Sequence, residues 1–265
     1  MTHIPTTFDF AAALGQEACL PALHIEGDPE SNGGRAPSPA ITYFAGPGGL
    51  NVTIPAEART WTGFREWSLS QAFPSTGQFT FTPLELIADM SPERYDTHNV
   101  IKLVITSKLF DLSMRLRLGR MFTDRFLLSN EAAQLSTEPD AMFVSHENLR
   151  SGRSRILSGQ RASVAEELVG SPDWVLEVVS PSSRKKDQQI LLEAYLRAGV
   201  NEYWLVDALS EQLSFQVHLR RDNRYVPALK RDGWLASPTF GCEFQLTRVQ
   251  DGDGFWEYTL LNQDK

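Results

Sequence analysis

The sequence predicts an α/β fold, a mixed sheet flanked by helices, with antiparallel hairpins toward the C-terminus. Three stretches carry that expectation. SPDWVLEVVSPSSRKKDQQILLEAYLRAGVNEYWLVD, from Ser171 to Asp207, reads as an apolar strand, a Ser/Pro turn, a helix and a second apolar strand. That order sets two strands parallel with a crossover helix between them. DTHNVIKLVITSKLFDLSMRLRLG has the apolar spacing of a long helix, and LSFQVHLRRDNRYVPAL, GCEFQLTRV and FWEYTL alternate as antiparallel strands do.

Element by element, residues 7–24 suggest a short helix broken at Pro21, followed by Gly-, Pro- and Ser-rich sequence. Residues 1–60 therefore read as a loop-rich extension and 61–265 as one domain. TWTGFREWSLSQ suggests a helix with Trp61, Phe64 and Trp67 on its packing face, and GQFTFTPLELIADMS a hairpin. In the long helix the expected stripe is Val100, Leu103, Val104, Met114 and Leu118, with Phe110 at its edge and Gly119 as the stop. RFLLS and DAMFVS are candidate strands. In the crossover helix Ser182 or Ser183 can cap the N-terminus, Ile190, Leu191, Ala194 and Tyr195 share a face, and Gly199 ends it.

Composition narrows the function classes. Of 265 residues 42% are apolar, with no run long enough for a membrane span, and MTHIPTTFDF lacks the pattern of a signal peptide, so a cytoplasmic protein is expected. Cys19 and Cys242 are the only cysteines, too few for a disulfide scaffold or a thiolate metal site. The net charge of −8 opposes unspecific attraction to nucleic acid. Between Ile101 and Lys186 the balance reverses, with 13 Lys/Arg against 10 Asp/Glu. ENLRSGRSRILSGQRAS in that region carries Arg150, Arg153, Arg155 and Arg161, which could hold phosphates or be no more than a solvated basic hairpin.

The chemistry centres on two carboxylates. Glu177 stands in the middle of an apolar strand, where an unpaired charge costs several kcal/mol or more, so it needs a cation, a donor or solvent beside it. It shares a face with Val175 and Val179. Asp140, in EPDAMFVS, stands at the mouth of a strand that also opens with Pro-Asp. If the two strands are neighbours, the carboxylates converge at one end of the sheet, where a divalent cation relieves their repulsion. Mg²⁺ favours one or two carboxylates together with water and phosphate oxygens. A turn role for Asp140 and a solvent-facing or arginine-paired Glu177 remain the plain alternatives.

PDAMFVS, PDWVLEVVSPSS and AYLRAGVNEYWLVD, supported by FREW, LIADMSPERYDTHN, YVPAL, GWLASPTFG and FQLTR, resemble the Uma-type restriction-endonuclease family of the PD-(D/E)xK nuclease superfamily. The resemblance covers Trp61 to Leu261. It implies a restriction-endonuclease-like core, DNA as substrate, and Mg²⁺ or Mn²⁺ held by Asp140, Glu177 and the Val178 carbonyl. The lysine of (D/E)xK would fall at Val179. The alternative helix position, four after Asp187, is Leu191. Lys186 is then the residue expected to reach the scissile phosphate or the attacking water. His98, Glu85 and Asp187 match accessory positions, and Arg184 and Lys185 join Arg150, Arg153 and Arg155 as candidate phosphate contacts. Asp173, the second Pro-Asp, reads as a residue that begins its strand, and Glu202 as a boundary acid near Arg197. Two other readings stand beside the nuclease: a nuclease-fold module that binds nucleic acid or a protein without chemistry, favoured by Leu191, and a dimerising protein, favoured by the aromatic-rich tail. A homodimer is compatible with each.

Overall fold

The structure is a computed structural model that describes residues 22–26, 41–44, 51–91, 94–158 and 165–264. Its centre is a six-stranded mixed sheet in the order Arg224–Pro227, Ser214–Arg221, Glu202–Asp207, Trp174–Val178, Ala141–Ser145, Gly119–Thr123. Trp174–Val178 and Glu202–Asp207 run parallel, joined by the expected crossover helix, and the remaining pairs are antiparallel. Alternation along these strands builds two cores. Phe143, Trp174, Leu176, Val178, Trp204 and Val206 face the long helix and the C-terminal sheet. Met142, Val144, Val175, Val179, Tyr203 and Leu205 face the crossover helix through Leu191, Ala194 and Tyr195.

A second sheet of seven strands carries the expected hairpin, Gln78–Phe81 with Glu85–Asp89. The C-terminal strands Trp234–Ser237, Cys242–Gln250 and Trp256–Asp264 form an antiparallel sheet, as their alternation predicts. Their apolar residues Phe244, Leu246, Tyr258 and Leu260 are spent inside the chain's own core. Within the stretch read as an extension, Leu23–Glu26 pairs with Glu85–Asp89, and Ile25, Val52, Ile54 and Ala58 are buried with Phe64, Trp67, Phe79 and Phe81. Packing thus does not break at residue 60. The helix expected over 7–24 lies outside the described residues, apart from its last positions, where a strand begins at Leu23.

The long helix is present as Val100–Arg115, preceded by a π-turn at Tyr95–Asn99. Of the expected stripe, Val100, Val104 and Leu118 pack half-buried against the core, but the fully buried line is a neighbouring one. Ile101, Ile105, Leu109 and Leu112 are buried, whereas Leu103, Phe110 and Met114 are more than half exposed. The segment is apolar on most of its circumference, so spacing alone does not single out a face. Contact with Gly119–Thr123 and Trp256–Asp264 makes the choice.

Gly119 is not the helix stop. Arg117 takes the left-handed position (φ 52°), and Leu118 N–H and Arg117 N–H bond back to the carbonyls of Ser113 and Met114 in a Schellman arrangement. Gly119 instead begins a strand, where a Cβ would stand 2.1 Å from the Val144 carbonyl oxygen and 2.7 Å from Ser145 Cα. Both contacts are with backbone that cannot swing away. Gly119→Ala is therefore expected to cost ~1–3 kcal/mol by overpacking. Thermal unfolding checks this: an unchanged midpoint would show that the strand pair can part without penalty.

Candidate active site

Antiparallel pairing of Leu176 with Ala141 places Asp140 and Glu177 side by side at the end of the two central strands. Asp140 continues the Met142–Val144 alternation and Glu177 the Val175–Val179 alternation, so both face the crossover-helix side. They open into a cleft of about 780 Å³ that also receives Gln78, Asp89, His98, Lys102, Lys186 and Asp187.

The two acids have opposite electrostatics. Asp140 Oδ2 accepts the Val178 N–H at 2.7 Å and lies 3.4 Å from His98 Nε2, while Oδ1 lies 3.6 Å from Lys102 Nζ. Burial would raise the Asp140 carboxyl, but His98, Lys102 and the Val178 amide outweigh it and hold the group at about 2. Glu177 accepts the Tyr195 hydroxyl at 2.5 Å. Its burial, with Asp140 and Asp187 nearby, pushes its carboxyl well above the usual range against the pull of Lys186 and Tyr195.

Helix geometry brings in the remaining groups. The crossover helix opens with a π-turn, Lys186–Ile190, which turns both Lys186 and Asp187 inward. The other π-turn, Tyr95–Asn99, carries His98 to the same cleft. Such widened turns recur at functional sites because the extra residue re-aims a side chain. Lys186 Nζ donates to Gln78 Oε1 at 3.1 Å and lies 3.5 Å from Asp187 Oδ1. Desolvation works against its charge, but Asp187, Glu177, Asp140 and Asp89 raise its pKa, so the ammonium is retained. Burial drives Asp187 up to about 6 despite Lys186 and the Ser183 hydroxyl, which donates to Oδ2 at 2.5 Å. The Ser183 side chain therefore serves Asp187, and Ser182 Oγ donates to Asp89 Oδ2 at 2.6 Å, rather than either capping the helix.

The structure therefore brings together Asp140, Glu177, Lys186, Asp187, His98 and the Val178 backbone. It does not bring Glu85, which pairs with His24 at 2.5 Å at the start of its strand. Asp89, at the other end of that strand and roughly 13 Å along it, is the acid that enters the cleft. Nor does it bring the arginine patch. Arg153 binds Asp173 at 3.0 Å and Asn201 at 3.1 Å, and Arg150 donates to the His146 carbonyl. Asp173 begins the strand whose far end carries Glu177, so this patch serves the opposite edge of the sheet. Arg155 is exposed on Ser154–Ser158, and Arg161 lies outside the described residues. Arg184 pairs with Asp207 at 3.2 Å and Lys185 is exposed, both directly before Lys186. Glu202 does not meet Arg197. It is buried and accepts the Trp204 indole N–H and the Thr239 amide, while Arg197 pairs with Glu193.

Sequence reasoning missed Lys102, Asp89, Gln78 and Tyr195. Lys102 had a signal: it follows His98 by four residues, hence on one helical face, inside the apolar stretch of the strongest helix. Gln78 and Tyr195 had none.

The donors suit a hard cation. Asp187 Oδ1 is buried with the Lys186 ammonium 3.5 Å away and no closer donor, and Glu177 is crowded by two other carboxylates. Among the described residues no three His, Cys, Asp or Glu side chains form a ready-made chelate. One or two carboxylates completed by water and substrate is the pattern Mg²⁺ favours. Leu191, at the position where the resemblance places a lysine, is fully buried in the core.

Comparison with known proteins places this geometry. A family model described as "Putative restriction endonuclease" matches residues 64–248. The chain is similar in fold to a crystal structure of "a putative nuclease belonging to DUF820" from Anabaena variabilis, with a TM-score of 0.50 and 19% identity over 68% of this chain and 90% of that one. No curated protein matches. No helix among the described residues is long and apolar enough to cross a membrane. With a nuclease-like fold and a family match that runs through both acidic strands and the crossover helix into the C-terminal sheet, the chain belongs to the Uma2 restriction-endonuclease family.

Proposed function

We propose that the chain is a Mg²⁺- or Mn²⁺-dependent endonuclease that hydrolyses DNA phosphodiester bonds in this cleft. One observation supports this most: Asp140 and Glu177, neighbours across two strands and on one face, stand with Lys186 in one cleft. Asp140, Glu177 and the Val178 carbonyl would hold the ion. When bound, the ion lowers the pKa of a water and offsets charge growing on the phosphate. Asp140 stays ionised through His98, Lys102 and the Val178 amide, and so offers a permanent anionic donor. Tyr195 fixes the orientation of Glu177. Lys186, charged and already desolvated, presents a positive charge where negative charge develops, which is worth more there than in water. Asp187 keeps Lys186 in place. Arg184 and Lys185, exposed beside Lys186, are the candidate backbone contacts, whereas Arg150, Arg153 and Arg155 contribute none at this site.

Incubation of purified protein with plasmid DNA and Mg²⁺ or Mn²⁺ tests the reading. Cleavage is expected, should stop on addition of EDTA, and should fall by roughly 10²-fold or more in Asp140→Asn, which keeps an acceptor for Val178 but loses the charge. Equal cleavage by the variant would exclude this cleft. The buried Leu191 supports a second reading, a module that binds DNA without cutting it. Stable DNA binding with no product at any metal concentration would favour that alternative.

A further inference from the structure

Lys102 is buried in the wall of the cleft, and two of the acids beside it differ in kind. Asp140, at 3.6 Å, is itself buried. Asp124, at 2.8 Å, has a side chain 64% exposed to solvent. Asp124 belongs to the turn between Gly119–Thr123 and Leu127–Asn130, at the mouth of the cleft. That turn is strained: Asp124 (φ 25°) and Arg125 (φ 60°) are consecutive non-glycine residues in left-handed backbone. Arg125 braces it by donating to the carbonyls of Pro74 and Gly77. Consecutive left-handed non-glycine residues at the mouth of a cleft mark this turn as a place to look for function.

We propose that Asp124 stands in for a substrate phosphate. Its carboxylate covers the Lys102 ammonium in the free protein, and a phosphodiester oxygen of the bound strand displaces it. The two groups share the charge and the acceptor oxygens that an ammonium recognises. Lys186 differs, because its Nζ is held by Gln78 and the acid beside it, Asp187, is buried. Lys102 is met at 2.8 Å by an exposed carboxylate, that of Asp124, at the cleft mouth. The proposal rests on the nuclease reading and divides the labour within it: Lys186 acts at the reacting centre, and Lys102 seats the phosphate.

The test is equilibrium binding of a short fluorescein-labelled DNA duplex in EDTA across a range of salt concentrations, with thermal unfolding of each variant alongside. Lys102→Met is expected to weaken binding roughly ten- to hundredfold. It should also lower the slope of log K against log salt by about 0.9, the signature of one lost phosphate contact. Lys102→Arg should restore the slope. Asp124→Asn, at an exposed position, should tighten binding by about three- to tenfold while leaving the unfolding midpoint nearly unchanged. An unaltered salt slope in a folded Lys102→Met protein, or no tightening in Asp124→Asn, overturns the inference and leaves the nuclease reading intact. A wild-type protein that neither binds nor cleaves DNA overturns both.

Discussion

Glu177→Gln is expected to abolish cleavage while leaving the metal-free protein as stable as the wild type or more so. Glutamine keeps the acceptor for Tyr195 and the shape of the side chain, and it removes a buried charge. On the proposed reading this removes an anionic metal donor, which should cost at least roughly 10²-fold in rate. The stability effect has a definite pH dependence. The Glu177 carboxyl ordinarily titrates near 4.5 and is pushed well above that in the fold, by burial first and then by Asp140 and Asp187 against Lys186. Between those two values the folded chain binds a proton that the unfolded chain has released. Wild-type stability therefore falls as pH rises from about 4.5 toward the folded-state value, and the glutamine variant lacks that loss. Unfolding midpoints in EDTA should diverge with rising pH, the variant lying higher. A variant that is less stable throughout would mean that Glu177 is a structural residue held by Tyr195 and not a charge kept for chemistry.

Trp204→Ala is expected to be the most destabilising single truncation in the central sheet. The indole is fully buried, with ring centroids 5.4 Å from Trp174, 5.0 Å from Phe215, 6.1 Å from Phe240 and 5.0 Å from Phe244. These rings join the central sheet to the C-terminal sheet. Removing the side chain costs ~3–5 kcal/mol for lost burial and the cavity left behind. Its N–H also donates to the buried Glu202 at 2.6 Å, so truncation strips a donor from a carboxyl that burial already raises. A fall of roughly 10 °C or more in the unfolding midpoint is expected for a chain of this size. Trp204→Phe, which refills most of the volume, should lose less than half as much. Equal losses in the two variants would place the cost in the hydrogen bond and not in the aromatic cluster.

The legible parts of this molecule are those in which neighbours in sequence decide the outcome. The paired strands around the Ser-Pro-Ser turn, the long helix, the hairpin at 78–89 and the antiparallel tail all appear where alternation or helical spacing puts them. The shared face of Glu177, Val175 and Val179 follows from the two-residue period of a strand. Lys186 could be singled out because it precedes Asp187 after the turn, although the π-turn that points it inward has no mark in the sequence. The misassigned features depended on partners far along the chain. Contact with the C-terminal strands turned the helix so that Leu103 and Met114 fell outside the packed face, Asp89 and not Glu85 of the same strand entered the cleft, and the arginine patch was drawn to Asp173 and away from the cleft.

By itself, the sequence determined the order of strands and helices and the family, and it singled out Asp140 and Glu177, which the fold sets side by side. Only the tertiary structure decided which cations meet them. Lys102, Lys186 and His98 come from two helices separated by three strands of the central sheet, and their nearness to Asp140 follows from sheet order and not from spacing. Electrostatic coupling falls with distance through space, and the chain writes down only distance along itself. The same sheet order holds Asp140 ionised and raises the Glu177 carboxyl well above its ordinary range.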